Sequence, residues 1–210
     1  MTDDRLRSAI EERIRAHDRD GAVAVALRAV TGEGVALEDL HDVLAALLVD
    51  VGAAWQAGEL PVWREHEATA VARTIVEACA PLLAERAAPP AGRTVVLATP
   101  SEEFHDLGLR MLADRFVLAG WTAHLLGASL PVEELIDAID ELDADAVALS
   151  ASTHYHRLRL RRALDALLAT RHGLQVWVGG AAFAADDGWA DAPKLDPAHV
   201  PYLAGGAGGC

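Results

Sequence analysis

The chain has 210 residues, 52% of them hydrophobic and 24% charged, enough apolar material for one large core or two small ones and too little charge for wholesale disorder. A formal net charge of -14, with Lys194 the sole lysine, excludes a nucleic-acid surface, so any control of a gene must pass through another protein. The two cysteines make no disulfide framework, and the absence of a signal-peptide pattern or a membrane-length apolar run makes the cytoplasm the expected location.

Residues 1 to about 86 read as helices. Asp3 and Asp4 cap a first helix with Leu6, Ile10 and Ile14 at helical spacing. A second runs from about Asp20 to Val30 and ends at Thr31-Gly32. A third starts after Gly34, carries Leu37, Leu40, Val43, Leu44, Leu47, Leu48 and Val51 to Trp55, and is closed by Gly58. A fourth starts at Pro61, a favoured first-turn residue, and runs through Val71, Ile75 and Leu82 to about Arg86. Four helices with short loops predict a four-helix bundle over residues 1–88.

Residues 87–93, Ala-Ala-Pro-Pro-Ala-Gly-Arg, read as a linker. Strands are then predicted at 94–98, 121–126, 145–149 and 174–178, with helices at about 106–119, 131–142 and 155–171 between them. Alternation with short loops means βαβ units and a parallel, Rossmann-like (flavodoxin-like) sheet. The expected fold class is therefore α/β plus all-α, with the second domain at 89–210. Beyond Gly180 a helix near Ala181–Asp187, a short strand near Val200–Leu203 and a frayed Gly-Gly-Ala-Gly-Gly-Cys tail are expected.

Three signals fall at the carboxyl ends of predicted strands, where open α/β sheets bind ligands. The first is the loop Glu103-Phe104-His105-Asp106-Leu107-Gly108; the second is Ser150-Ala151-Ser152; the third is Gly179-Gly180. An imidazole, hydroxyls and bare backbone on one edge suit a planar cofactor with a tail inserted between the loops. Gly179 and Gly180 let the backbone approach closely, and Ser150 or Ser152 offers a hydrogen bond to a heterocycle's nitrogen. His154 and His156 open a helix beside the same edge and are expected near that tail or solvent. Arg157, Arg159, Arg161, Arg162 and Arg171 read as a solvated helix face.

These residues resemble the cobalamin-binding domain shared by methionine synthase, the mutases, corrinoid methyl carriers and cobalamin photoreceptors. That pattern is Asp-x-His-x-x-Gly, Ser-x-Leu about 41 residues later, then Gly-Gly after 26 to 28 more. Here 41 residues separate Gly108 from Ser150 and 26 separate Ser152 from Gly179. The resemblance implies cobalamin bound base-off with His105 as the lower cobalt ligand. Glu103 stands where the family usually has Asp, orienting the imidazole from behind, and Ser152 stands for the usual Leu or Thr.

Trp55, nine residues, then Glu65-His66 is similar to the Trp-x9-Glu-His signature of the adenosylcobalamin photoreceptors. The resemblance implies an adenosyl group under a flat Trp55 cover, with Glu65 and His66 bonding its ribose or adenine. In photoreceptors of this kind a histidine following the Trp takes the vacated upper position after photolysis; here Gln56 stands there, with His41 and His66 as conceivable substitutes. The family's best-known members carry an N-terminal winged-helix domain, whereas this chain starts at the bundle.

The resemblance thus implies a non-enzymatic sensor of light that binds 5′-deoxyadenosylcobalamin between bundle and sheet. Photolysis of the cobalt–carbon bond would move the bundle and alter a homo-oligomer or a protein partner such as a transcription regulator. A corrinoid methyl carrier serving separate methyltransferases is the rival expectation, and a cofactor-binding subunit of a mutase is a third.

Overall fold

The computed structural model describes residues 1–170 and 173–183. Contacts between Cα atoms divide the chain into two compact units, Met1–Leu82 and Leu83–Cys210.

The first unit folds as α1 (Asp3–Arg15), α2 (Arg19–Gly32), α3 (Leu37–Gln56) and α4 (Val62–Cys79). Each helix turns its apolar stripe inward: Leu6 and Ile10, then Ala22, Ala26 and Ala29, then Leu40, Leu44 and Leu47, then Ala72, Ile75 and Val76 are buried. Asp18 starts α2 by accepting the Gly21 N–H at 2.8 Å, and Arg13 Nη1 donates to its other oxygen at 2.9 Å. The fourth helix does not run unbroken to Arg86. It stops at Cys79, a 3-10 turn covers Ala80–Leu82, and α5 (Leu83–Arg86) belongs to the second unit. The break is at Pro81, which has no N–H to donate and whose ring crowds the preceding turn.

The second unit alternates strands and helices after α5: β1 (Thr94–Pro100), α6 (Leu107–Leu118), β2 (Thr122–Leu130), α7 (Val132–Glu141), β3 (Ala146–Ser150), α8 (His154–Thr170) and β4 (Gln175–Gly179). The sheet order is β2-β1-β3-β4, with every pairing parallel. Side chains alternate between faces. Val96, Val147, Leu149, Val176 and Val178 share one core with Leu135 and Ile139 of α7 and Leu160, Leu164 and Leu167 of α8. Val95, Leu97, Ala148 and Trp177 share the other with Leu109, Leu112 and Phe116 of α6 and with Trp121. Coverage on both faces explains why β1 and β3 read as continuous apolar runs.

Two departures have local causes. β2 continues past Leu126 to Leu130, through Gly127 at φ 85° and Ser129 at φ 57°, while its register against β1 slips near Ala98. These irregularities break the period of two, so the pattern of side chains ends before the strand does. The linker, in turn, is laid onto the sheet unit. Ala88 N–H donates to Leu118 O and Ala91 N–H to Gly120 O, both at 2.8 Å. Gly120 has φ 84°, and a Cβ there would meet the Pro89 carbonyl oxygen at 2.3 Å. After Gly179 a 3-10 turn covers Ala181–Phe183; the rest of the helix expected to Asp187, the strand near Val200–Leu203, the glycine-rich tail, Arg171 and Cys210 lie outside the described residues. Among the described residues no helix is long and apolar enough to cross a membrane.

Candidate functional site

β1 delivers the chain to the loop between Pro100 and Leu107, and a small polar network shapes it. Glu103 N–H donates to Pro100 O at 3.0 Å. The buried Thr99 hydroxyl donates to Glu103 O at 2.6 Å and accepts the Ser129 N–H at 2.9 Å. Glu102 N–H donates to Ser129 Oγ at 3.0 Å. Glu102 sits in the left-handed region at φ 72°, and this turn aims the next side chain inward.

That side chain is Glu103, which is 0% exposed. Its Oε1 accepts the His105 N–H at 3.0 Å and lies 2.6 Å from His105 Nδ1. Its Oε2 accepts the Ser152 N–H at 2.7 Å and the Ser152 hydroxyl at 2.5 Å, and lies 2.9 Å from His156 Nδ1. Burial pushes the carboxyl up, but the hydrogen bonds from Ser152 and His105 more than offset it and hold the group below the ordinary glutamate range. An ionised carboxylate only accepts, so both imidazoles must present Nδ1–H to it, a tautomer assigned from the network. The His105 side chain is 73% exposed, and in the neutral ring this tautomer puts the lone pair a metal requires on Nε2.

The loops after β3 and β4 meet beside this group. Ser150 pairs with Gly179 in register, and Ala151 N–H donates to Gly179 O at 3.0 Å. Gly180 has φ 94°, and a Cβ there would lie 2.4 Å from Ala151 O and 2.6 Å from Ser150 Oγ. Ser152 is committed to Glu103, so of the two serines proposed for a heterocycle's nitrogen, Ser150 is the one without that commitment. Phe104 is 70% exposed. Asp106 precedes α6 near Gly127, and Gly108 has open space where a Cβ would stand. An exposed imidazole with a bare Nε2, braced by a buried carboxylate and flanked by glycines, fits the lower face of a corrinoid.

The helical unit carries the second motif. Trp55 closes α3 at 45% exposure, and Glu65 and His66 stand in the first turn of α4. Glu65 Oε2 is 2.5 Å from His66 Nδ1, and Thr69 Oγ donates to Glu65 Oε1 at 2.9 Å, so the pair is arranged before any ligand arrives. His66 is exposed, whereas His41 is buried at 2% exposure and presents no nitrogen at the surface. Trp63 is half exposed and stacks on His17, while Trp121 is buried in the sheet unit.

Sequence reading missed α8's part in the site. His156, expected near the cofactor's tail or in solvent, lies on Glu103. Arg159, assigned to a solvated face, pairs with Glu102, as does the Tyr155 hydroxyl. The available signal was spacing: Ser152 and His156, like Tyr155 and Arg159, stand four apart.

A family profile described as a B12 binding domain matches residues 93–206, and a second of the same description matches residues 6–80. The chain is 38% identical over 155 residues to the HTH-type transcriptional repressor CarH of Myxococcus xanthus, covering 70% of this chain and 48% of that protein. It therefore spans about half the length of that relative. It is 27% identical over 172 residues to dimethylamine corrinoid protein 1 of Methanosarcina acetivorans, covering 81% of this chain and 80% of that one. The solved structure of the Methanosarcina barkeri monomethylamine corrinoid protein shares the fold, with a TM-score of 0.77, 19% identity and 95% of each chain covered. The chain belongs to the B12 binding domain family and binds cobalamin.

Proposed function

We propose that the chain is an adenosylcobalamin-dependent light sensor in which His105 ligates cobalt through Nε2. The observation that carries this reading is the exposed Trp55 together with the prearranged Glu65–His66 pair, in the spacing of the adenosyl-binding signature. When bound, adenosylcobalamin supplies a cobalt–carbon bond that green or blue light cleaves.

The chain's residues do the rest. Glu103 fixes the His105 tautomer and orientation. Gly179 and Gly180 keep side chains away from the backbone beside the cofactor, Phe104, Asp106 and Gly108 border it, and Ser150 and the backbone beside Ser152 border its tail. Trp55 covers the adenosyl group, while Glu65 accepts and His66 donates hydrogen bonds to it. On illumination these three lose their partner, and the helical unit shifts its conformational balance as any two-state element does when a ligand leaves. The output is a changed homo-oligomer or a changed surface for a protein partner such as a transcription regulator. The chain is cytoplasmic, contacts neither DNA nor membrane, and turns over no substrate, so it is not an enzyme.

A second reading, a methyl carrier serving partner methyltransferases, is favoured by likeness to a dimethylamine corrinoid protein over most of both chains. Purification in the dark with each cobalamin, followed by illumination, absorption spectra and mass measurement, separates the two. The sensor reading requires adenosylcobalamin binding and a light-dependent spectral change. Binding of methylcobalamin alone would sink it. His105→Ala must change the dark spectrum; an unchanged one removes His105 from the ligand role.

A further inference from the structure

We infer that His156 is a positioning residue for His105, sharing the Glu103 carboxylate with it and limiting how strongly that carboxylate polarises the His105 ring. The inference rests on the reading of His105 as ligand.

The two imidazoles approach opposite oxygens of one buried group. His105 Nδ1 is 2.6 Å from Oε1, and His156 Nδ1 is 2.9 Å from Oε2. His156 is held there on a rigid element. Its backbone N–H donates to Thr153 Oγ at 3.3 Å, at the start of α8, and Thr153 Oγ lies 2.9 Å from its Nδ1. The ring packs edge-on against Tyr155 at 5.4 Å, and the side chain is only 16% exposed.

A carboxylate has one negative charge to distribute among its donors. A carboxylate behind Nδ1–H draws the proton toward itself and enriches the ring, making Nε2 a stronger donor to metal. The Ser152 N–H, the Ser152 hydroxyl and His156 together engage Oε2 and draw charge away from Oε1. Ser152 lies on the loop after β3, whereas His156 belongs to the first turn of α8, so the helix sets how much of Glu103 reaches His105. The consequence is a moderated lower ligand, weaker than a carboxylate given wholly to one histidine would make it.

The test uses the full chain, labelled with nitrogen-15 and free of cobalamin, at one mildly alkaline pH. Long-range proton–nitrogen spectra report the ring nitrogens of His105 in the wild type, His156→Ala, His156→Gln and His154→Ala. The wild type should show Nδ1 protonated and Nε2 bare. His156→Ala should shift both His105 ring signals, while His156→Gln, whose amide restores a donor, should return them toward wild type and His154→Ala should leave them in place. Should His156→Ala fail to fold, His156→Leu, which fills the space without donating, replaces it. Identical His105 signals in wild type and the donor-free variant overturn the inference, as does an equal shift in His154→Ala. In a second arm, hydroxocobalamin-loaded protein should show a visible band moved by His156→Ala and restored by His156→Gln. A wild-type spectrum indifferent to His105→Ala would instead overturn the ligand reading, leaving the cofactor-free result to stand by itself.

Discussion

Arg159 Nη2 lies 3.0 and 2.9 Å from the two carboxylate oxygens of Glu102, and the Tyr155 hydroxyl donates to the same carboxylate at 2.5 Å. Helix α8 and the loop leading into it therefore grip two consecutive glutamates with interleaved pairs, Tyr155 and Arg159 on Glu102, Ser152 and His156 on Glu103. Glu102 needs a grip, since a residue with a Cβ resists φ 72°. The Tyr155 hydrogen bond, aided by the Arg159 charge, holds its carboxyl below the ordinary range. A depressed folded-state value means the clamp contributes fully above the unfolded glutamate pKa of about 4.3 and is lost as pH falls through the lower folded value. Amide protection at Ser129, whose N–H bonds Glu103 O, should therefore decline below about pH 4. In Arg159→Ala combined with Tyr155→Phe that decline should vanish, with little change in overall melting; hydrogen exchange across the acid range checks it.

Gly180 and Gly108 should separate a glycine required by the fold from one required by a ligand. A Cβ at Gly180 meets a backbone carbonyl, which cannot turn aside, and the φ is already left-handed. Gly180→Ala should cost about 1–3 kcal/mol in denaturant unfolding of the cofactor-free chain. Gly108→Ala points into open space within a helix and should leave stability within about 1 kcal/mol of wild type. Its effect belongs to the loaded state, where cobalamin affinity should fall at least tenfold by titration.

Trp55 is too exposed to carry much of the helical core, so Trp55→Ala should change unfolding by no more than about 1 kcal/mol. Its preference for adenosylcobalamin over methylcobalamin should fall about tenfold, or about 1.4 kcal/mol. Glu65→Ala and His66→Ala should act in the same direction. Equilibrium binding of both cobalamins in the dark decides; equal losses for the two would place these residues outside adenosyl recognition.

Asp18 offers an acid-sensitive contact far in sequence from the cofactor loops. The Gly21 N–H, helped by Arg13, holds its carboxyl below the ordinary aspartate range. The cap is therefore present above the unfolded value of about 3.9 and disappears as pH falls through the depressed folded value. Asp18→Ala should lower the melting temperature more at neutral pH than at an acid pH below the depressed folded value, where the wild type has lost the same bond. Paired melting curves at the two pH values measure it.

Much of the architecture was legible because periodicity survives burial: Leu40, Leu44 and Leu47 recur at helical spacing, and the valines of β1 and β3 form short apolar runs. The edge that gathers the loops was legible too, since the separations of 41 and 26 residues align Gly108, Ser150 to Ser152 and Gly179, and the structure brings those loops together. The break at Pro81 was harder to read, because Leu82 keeps the apolar spacing going through it. The extension of β2 was hidden by Gly127, a residue that equally marks an end or a bulge. His156 illustrates a different limit. Its bond to Glu103 spans 53 positions and exists only because β1 and β3 are sheet neighbours, a fact of topology that no local pattern contains.

The strap formed by Ala88 and Ala91 decides where the molecule can be cut. A fragment beginning at Arg93, where the first family match begins, keeps every strand and the whole His105 loop. It would nevertheless strip the cover from Gly120 and leave the carbonyls of Leu118 and Gly120 to water, at the turn that feeds β2. An excised cobalamin-binding fragment should therefore start before Ala88, and composition alone would place the scissors several residues too late.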